Sequence, residues 1–232
     1  PFQRSGEARP EPDEPSPLRF VSCGRPLPGH EVRIVDAAGR PVGERTEGRV
    51  EFRGPSVTAG YFRNPVATRA ALRDGWMDSG DLGYWADGEL FITGRQKDVI
   101  IKAGRNLYPQ EVEEVAGDVP GLRKGCVAAF GVADPEIGTE RLVVIAESRE
   151  TAPEPRERFR AAIVDRVVGA LGIPPDVVII SPPGTVPKTP SGKVRRGATR
   201  QAYLSGALAR GRPSARWQWA RLRVEDWGAR AE

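Results

Sequence analysis

Sulfur and imidazole are scarce in this 232-residue sequence, which holds two cysteines, one histidine and one methionine. Cys23 and Cys126 stand far apart without CxxC spacing, which argues against a disulfide framework or a thiolate metal site. Two buried, reduced thiols are expected instead. The lone His30 excludes an HExxH zinc site and leaves a Ser/His/Asp triad only if it is itself the base. It lies in Pro28-Gly29-His30 just ahead of β-forming residues, where a structural role is expected. No stretch approaches the roughly twenty apolar residues of a membrane span. Pro1 to Pro17 is rich in proline and charge and lacks the positive region and apolar core of a secretory leader, so a cytoplasmic location is expected. Lysine is sparse as well: positions 97, 102, 124, 188 and 193, against thirty arginines.

What is present is ordinary globular composition, 39% hydrophobic and 28% charged, in a length that suits two small domains. The net charge of +4 is unevenly spread, because residues 191 to 232 carry ten Lys or Arg against three acids. The first eighteen residues read as linker. From Arg19-Phe20-Val21 the pattern turns to short β runs, Glu31 to Val35 and Gly48 to Arg53, bounded by Gly, Pro and Asp. A helical stretch follows at Pro65 to Leu72. Asp87-Gly88, between Leu82 to Trp85 and Glu89 to Thr93, then predicts a hairpin.

After Gly94 the elements alternate. A β segment at Asp98 to Ile101 precedes a helix opening at Pro109, strands at Cys126 to Val132 and Leu142 to Ala146, and a longer helix. In that helix Phe159, Ile163, Val167, Ala170 and Leu171 share one face, and Gly172 and Pro174 end it. Val177 to Ile180 predicts a strand. A proline-punctuated loop then leads to a last helix over about Val194 to Ala209. The expected fold class is α+β: a small antiparallel, barrel-like β subdomain over 19–94, then a compact α+β domain over 98–210 and a basic tail over 211–232.

Four motifs in order, the first of them in two stretches, carry the chemistry. Gly24-Arg-Pro-Leu-Pro-Gly-His-Glu-Val-Arg-Ile-Val35 is followed by Gly54-Pro-Ser-Val-Thr-Ala-Gly-Tyr-Phe-Arg-Asn-Pro65, then Gly75-Trp-Met-Asp-Ser-Gly-Asp-Leu-Gly83. Gly94-Arg-Gln-Lys-Asp-Val-Ile-Ile-Lys-Ala-Gly-Arg-Asn-Leu-Tyr-Pro-Gln-Glu-Val-Glu113 comes next, and Pro187-Lys-Thr-Pro-Ser-Gly-Lys-Val-Arg-Arg196 closes the series. Together they resemble the adenylate-forming superfamily of acyl-CoA synthetases, fatty-acyl-AMP ligases and peptide-synthetase adenylation domains. The resemblance covers about residues 19–210. It implies the end of a large N-terminal adenylation domain, a hinge at 95–97, and a mobile C-terminal lid.

The implied reaction is attack of a carboxylate on the α-phosphorus of ATP, with pyrophosphate leaving. Negative charge then crowds one point, and a positioned cation is needed there. The resemblance assigns that role to Lys193, with Lys188 in support. A solvated loop lysine is the plain alternative. Asp81 matches the carboxylate that accepts from the two ribose hydroxyls, and Arg95 the cation that helps hold the same nucleotide. Otherwise Asp81 is a turn residue and Arg95 half of a surface ion pair. Lys97 stands at the hinge, where many members of the superfamily have Asp. Gly104 and Arg105 match the loop that serves thioester formation, and a plain turn glycine is the alternative for Gly104.

The cofactors implied are ATP and Mg2+, with the magnesium ligand expected upstream and no metal site in this segment. Run 104–113 is closer to fatty-acyl-AMP ligases, so a phosphopantetheine carrier protein is the expected acyl acceptor, with coenzyme A the alternative and a non-catalytic carrier-docking module a third reading. A nucleotide P-loop is excluded, because Gly192-Lys193 is followed by Val194. Basic residues and Trp217 and Trp219 in the tail are expected to form a solvated face with the rings packed on the lid, and no nucleic-acid partner is expected.

Overall fold

Runs of β-branched and aromatic residues set between Gly, Pro and Asp turns give, in the computed structural model, a chain described over residues 21–135 and 138–210. The linker-like start and the basic tail with its tryptophans lie outside the described residues. Two compact units divide between Glu111 and Val112.

The first unit is built on a five-stranded antiparallel sheet: β1 (Glu31–Val35), β2 (Gly48–Arg53), β3 (Leu72–Arg73), β4 (Trp76–Ala86) and β5 (Glu89–Arg95). The long β4 pairs with β2 along its length, with β3 at its start and with β5 at its end. Register shifts between Arg49 and Glu51, and between Leu82 and Gly83, are the bulges that curl this sheet into a half-barrel. Asp87 and Gly88, both at positive φ, form the turn of the expected hairpin.

Ile34, Val35, Val50, Met77, Tyr84 and Ala86 are buried on the sheet, and Tyr84 stacks on Phe91 at 5.1 Å. The guanidinium groups of Arg33 and Arg53 lie over the Trp76 ring, at 4.1 and 4.5 Å from its centroid, which screens a half-buried indole. Helix α1 (Pro65–Ala71) starts at Asn64, whose side chain accepts the Ala67 N–H. A 3-10 turn (Gln96–Asp98) leads to the small hairpin β6 (Ile100–Lys102) and β7 (Arg105–Leu107), so the change of sequence texture after Gly94 falls inside this first unit. Val99 and Tyr108 pack with the cluster of Tyr84, Ala86 and Phe91.

Helix α2 (Pro109–Gly117) carries the chain across the division. The second unit has a three-stranded sheet of β8 (Leu122–Asp134), β9 (Thr139–Ser148) and β10 (Val177–Ser181), with β9 central, antiparallel to β8 and parallel to β10. A parallel pair needs a crossover, supplied by α3 (Pro153–Leu171), which lies against β10, while α4 (Arg196–Leu204) lies against β8. Leu142 to Ala146 are all fully buried, as a central strand covered on both faces requires. One face carries Ala128, Phe130, Val143, Ile145 and Val186.

Three expectations need correction. Cys126 is buried but Cys23 is exposed, because its backbone pairs with Leu90 at the sheet margin and nothing among the described residues covers the side chain. On α3 the buried face is Ile163, Val167 and Leu171, with Ala170 exposed. The last helix ends at Leu204, where Ser205-Gly206 intervenes before a 3-10 turn at Ala207–Arg210.

Candidate active site

In the first unit, the β4–β5 ladder opens with Asp81 opposite Arg95. Asp81 is set by a turn built from short polar side chains. The Gly80 N–H donates to Asp78 Oδ1 at 2.8 Å, the Asp81 N–H to Ser79 Oγ at 3.0 Å, and Ser79 Oγ to the Val50 carbonyl at 2.9 Å. Asp78 is itself held by Arg49 at 2.8 Å.

Arg95 Nε donates to Asp81 Oδ1 at 3.0 Å, with the side chains 52% and 30% exposed. At that exposure the pair contributes only about 0–1 kcal/mol to stability. It leaves Asp81 Oδ2 as an acceptor and most guanidinium N–H groups as donors, without partners among the described residues. An acceptor oxygen beside a cation suits a ligand that carries hydroxyls near negative charge, and a nucleotide is such a ligand.

Lys97 is exposed in the 3-10 turn two residues beyond Arg95. Ala103 and Gly104 connect β6 to β7 with φ of 50° and 71°, the two-residue turn in which glycine is at ease. Both are exposed, and Arg105 is half-buried opposite Lys102.

Lys193 and Lys188 belong to the second unit and share one tight loop. Thr189 organises it. Its hydroxyl accepts the Lys193 N–H at 3.0 Å and bonds Ser191 Oγ at 2.9 Å, and its N–H donates to the Lys193 carbonyl at 2.8 Å. The Gly192 N–H closes a turn onto the Thr189 carbonyl at 2.9 Å, with Gly192 at φ +85°. Lys188 bridges to Val194, and the Arg195 N–H donates to the Pro187 carbonyl at 2.9 Å. The Lys193 side chain is therefore presented to solvent from a fixed backbone and makes no ion pair among the described residues. Lys188 is half-buried.

Two acidic anchors behind this loop were not singled out in the sequence. Glu113 on α2 takes a two-pronged bond from Arg196, with both contacts at 2.7 Å, and also accepts the Ala129 N–H at 3.0 Å. Glu147 on β9, 1% exposed, accepts the Val186 N–H at 2.8 Å and pairs with Arg123. Glu113 and Arg196 both lie inside quoted motifs, so their opposite charges were the available signal. Glu147 had none, being an acid inside an apolar strand.

A third acid, Glu47 in the first unit, accepts from Thr93 Oγ1 and Tyr108 Oη. Burial pushes its carboxyl above the usual range, and the two hydroxyl donors pull it part of the way back. Burial and the neighbouring carboxylate push the Tyr108 phenol far above its usual value, so it stays protonated and donating. Among the described residues no group of three or more His, Cys, Asp or Glu is placed to hold a metal ion.

The AMP-binding enzyme family profile matches residues 8–62. The sulfoacetate–CoA ligase of Cupriavidus necator is 38% identical over 80% of this chain and 35% of its own length. Among solved structures, one from work on the fatty acyl-adenylate ligases of E. coli and L. pneumophila is 33% identical, with a TM-score of 0.76, over 90% of this chain and 37% of that one. The McyG A-PCP structure complexed with phenylalanyl-adenylate is 35% identical, with a TM-score of 0.74, over 89% of this chain and 36% of that one. The chain spans about a third of the length of the curated relatives it matches.

Proposed function

The chain belongs to the AMP-binding, adenylate-forming superfamily, and from that premise we propose that it serves the ATP-dependent activation of a carboxylic acid. Acid and ATP give acyl-adenylate and pyrophosphate. The acyl group then passes to the phosphopantetheine thiol of a carrier protein. ATP, with magnesium on its phosphates, supplies the electrophilic phosphorus and the leaving group.

The observation that carries this reading is the fully presented Lys193 on a loop fixed by Thr189. An ammonium on a flexible stem is a mobile point charge, and a rigid backbone beneath it limits where that charge can go. Lys193 neutralises charge where the carboxylate meets the α-phosphorus, and Lys188 supports the loop. Asp81 and Arg95 hold the nucleotide. Lys97 acts as the hinge, and the loop of Gly104 and Arg105 serves acyl transfer. ATP as co-substrate places the reaction in the cytoplasm.

A second acceptor, coenzyme A, has its own support in the sulfoacetate–CoA ligase of Cupriavidus necator. The test is acid-dependent ATP–pyrophosphate exchange by the full-length polypeptide that contains this segment, followed by thioester formation with carrier protein and with coenzyme A. We expect Lys193→Ala to lower exchange by two to three decades, equivalent to about 3–4 kcal/mol of transition-state stabilisation. Exchange untouched by the substitution would overturn the assignment of Lys193. Transfer to coenzyme A alone would replace the carrier protein as acceptor.

A further inference from the structure

The second unit contains a cleft of about 470 Å³ whose position follows from an irregularity in the β8–β9 ladder. Leu122 pairs with Ser148 and Val127 with Ala146, so four residues of β8, Arg123 to Cys126, stand opposite the single Glu147 of β9. A bulge of that size lifts Arg123 and Lys124 off the sheet and opens a space beside it. Phe159 of α3 forms its floor. The ring lies so close across Gly121 that a β-carbon there would meet it at 2.5 Å, and Leu122 adds further apolar surface. Ser148 ties the walls together, its Oγ donating to the Gly121 carbonyl at 2.9 Å and accepting the Glu150 N–H at 3.1 Å.

The charge at the rim is unbalanced. Lys124 and Arg149 are exposed and have no ion pair among the described residues. The acid on the same rim, Glu150, has Oε1 committed to the N–H groups of Thr151 and Ala152 at 2.8 and 3.0 Å. Arg123 is committed to Glu147. An apolar floor with two unpaired cations on its rim, against one acid engaged by backbone N–H groups, fits a macromolecular surface with acidic side chains around an apolar anchor. A free phosphate group would want converging buried donors, and the arginine of the inner wall is already engaged.

The wall of the cleft is linked to the loop of Lys193 through Glu147. Glu147 joins Arg123 of the bulge to the N–H of Val186, the residue before Pro187. On the other side of the bulge, a β-carbon at Gly125 would lie 3.6 Å from Lys188 Nζ. Whatever seats in the cleft therefore bears on the base of the loop that holds Lys193.

We propose that this cleft docks the acidic surface of the phosphopantetheine carrier protein, a proposal that rests on the carrier-protein reading above. Its test is Lys124→Glu with Arg149→Glu in the full-length polypeptide, with phosphopantetheinylated carrier protein and free pantetheine as alternative acceptors. We expect the KM for carrier protein to rise at least tenfold. Pyrophosphate exchange and transfer to free pantetheine should stay within twofold of wild type. The wild-type KM for carrier protein should rise steeply with salt, and that of the variant should not.

An unchanged KM for carrier protein refutes the docking site, and so does an equal loss with free pantetheine. If the double charge reversal does not fold, Lys124→Gln with Arg149→Gln takes its place, with a rise of about threefold expected and an unchanged KM again decisive. A wild-type enzyme that acylates coenzyme A and no carrier protein defeats the acceptor reading itself. Wild-type transfer to carrier protein with no response to the substitutions defeats the cleft alone.

Discussion

An exposed Asp–Arg pair and a half-buried acid between two hydroxyls call for opposite tests. Asp81 and Arg95 are too exposed for their pairing to matter to folding, so Asp81→Asn should leave the urea midpoint within about 1 kcal/mol of wild type. If its carboxylate accepts ribose hydroxyls, the same change removes charge-assisted bonds worth about 1.5–3 kcal/mol, and the KM for ATP should rise about tenfold to a hundredfold. An unchanged KM would return Asp81 to the turn-and-ion-pair role.

Glu47 is the reverse case. Burial raises its carboxyl, so the folded state holds a proton that the unfolded state has released. The stability this contributes is complete below the ordinary carboxylate range and is lost as pH rises through the folded value. Glu47→Gln cannot ionise, so its urea midpoint should gain on wild type as pH climbs from about 4 to 7. A flat difference across that range would show that the carboxyl is not raised.

Single elements hold the loop in place. Glu113 ties α2 to α4 through Arg196 and to β8 through the Ala129 N–H. Glu113→Ala strands a half-buried guanidinium and a backbone donor, which should cost about 2–4 kcal/mol in urea unfolding. A loss below 1 kcal/mol would mean that the loop does not depend on this anchor. Such ties mark where the sequence stopped being readable.

The β4–β5 hairpin was legible because Asp87-Gly88 is a local signal, and α3 because its apolar spacing and Gly172 are local too. The register Asp81 opposite Arg95 was not, since a bulge at Leu82 and Gly83 resets the count between them. The Arg123 to Cys126 bulge was equally hidden: Arg-Lys-Gly reads as loop, and only the pairing of Val127 with Ala146 beyond it shows a strand interrupted and resumed. The motifs pointed by resemblance to a site chemistry, but the acids behind the Lys193 loop act across 39 and 83 residues of sequence, where no periodicity reaches.

At the scale of the whole molecule, the chain holds two compact units and about a third of the length of its relatives. Its motifs hold the exposed Lys193, the Asp81–Arg95 pair and Lys97. An adenylation step needs the phosphates held in line as well as neutralised, and one lysine does not do both. The first unit also leaves apolar surface open: α1 has no buried residue, and Phe62, Val66 and Tyr61 are 86%, 69% and 55% exposed. The purified 232-residue chain should therefore give no acid-dependent pyrophosphate exchange above the Lys193→Ala background, while the polypeptide that continues upstream should give robust exchange. Turnover by the 232 residues alone would mean that the phosphate-holding groups lie within this chain, and would move the search for them to its arginines, those around Asp81 first.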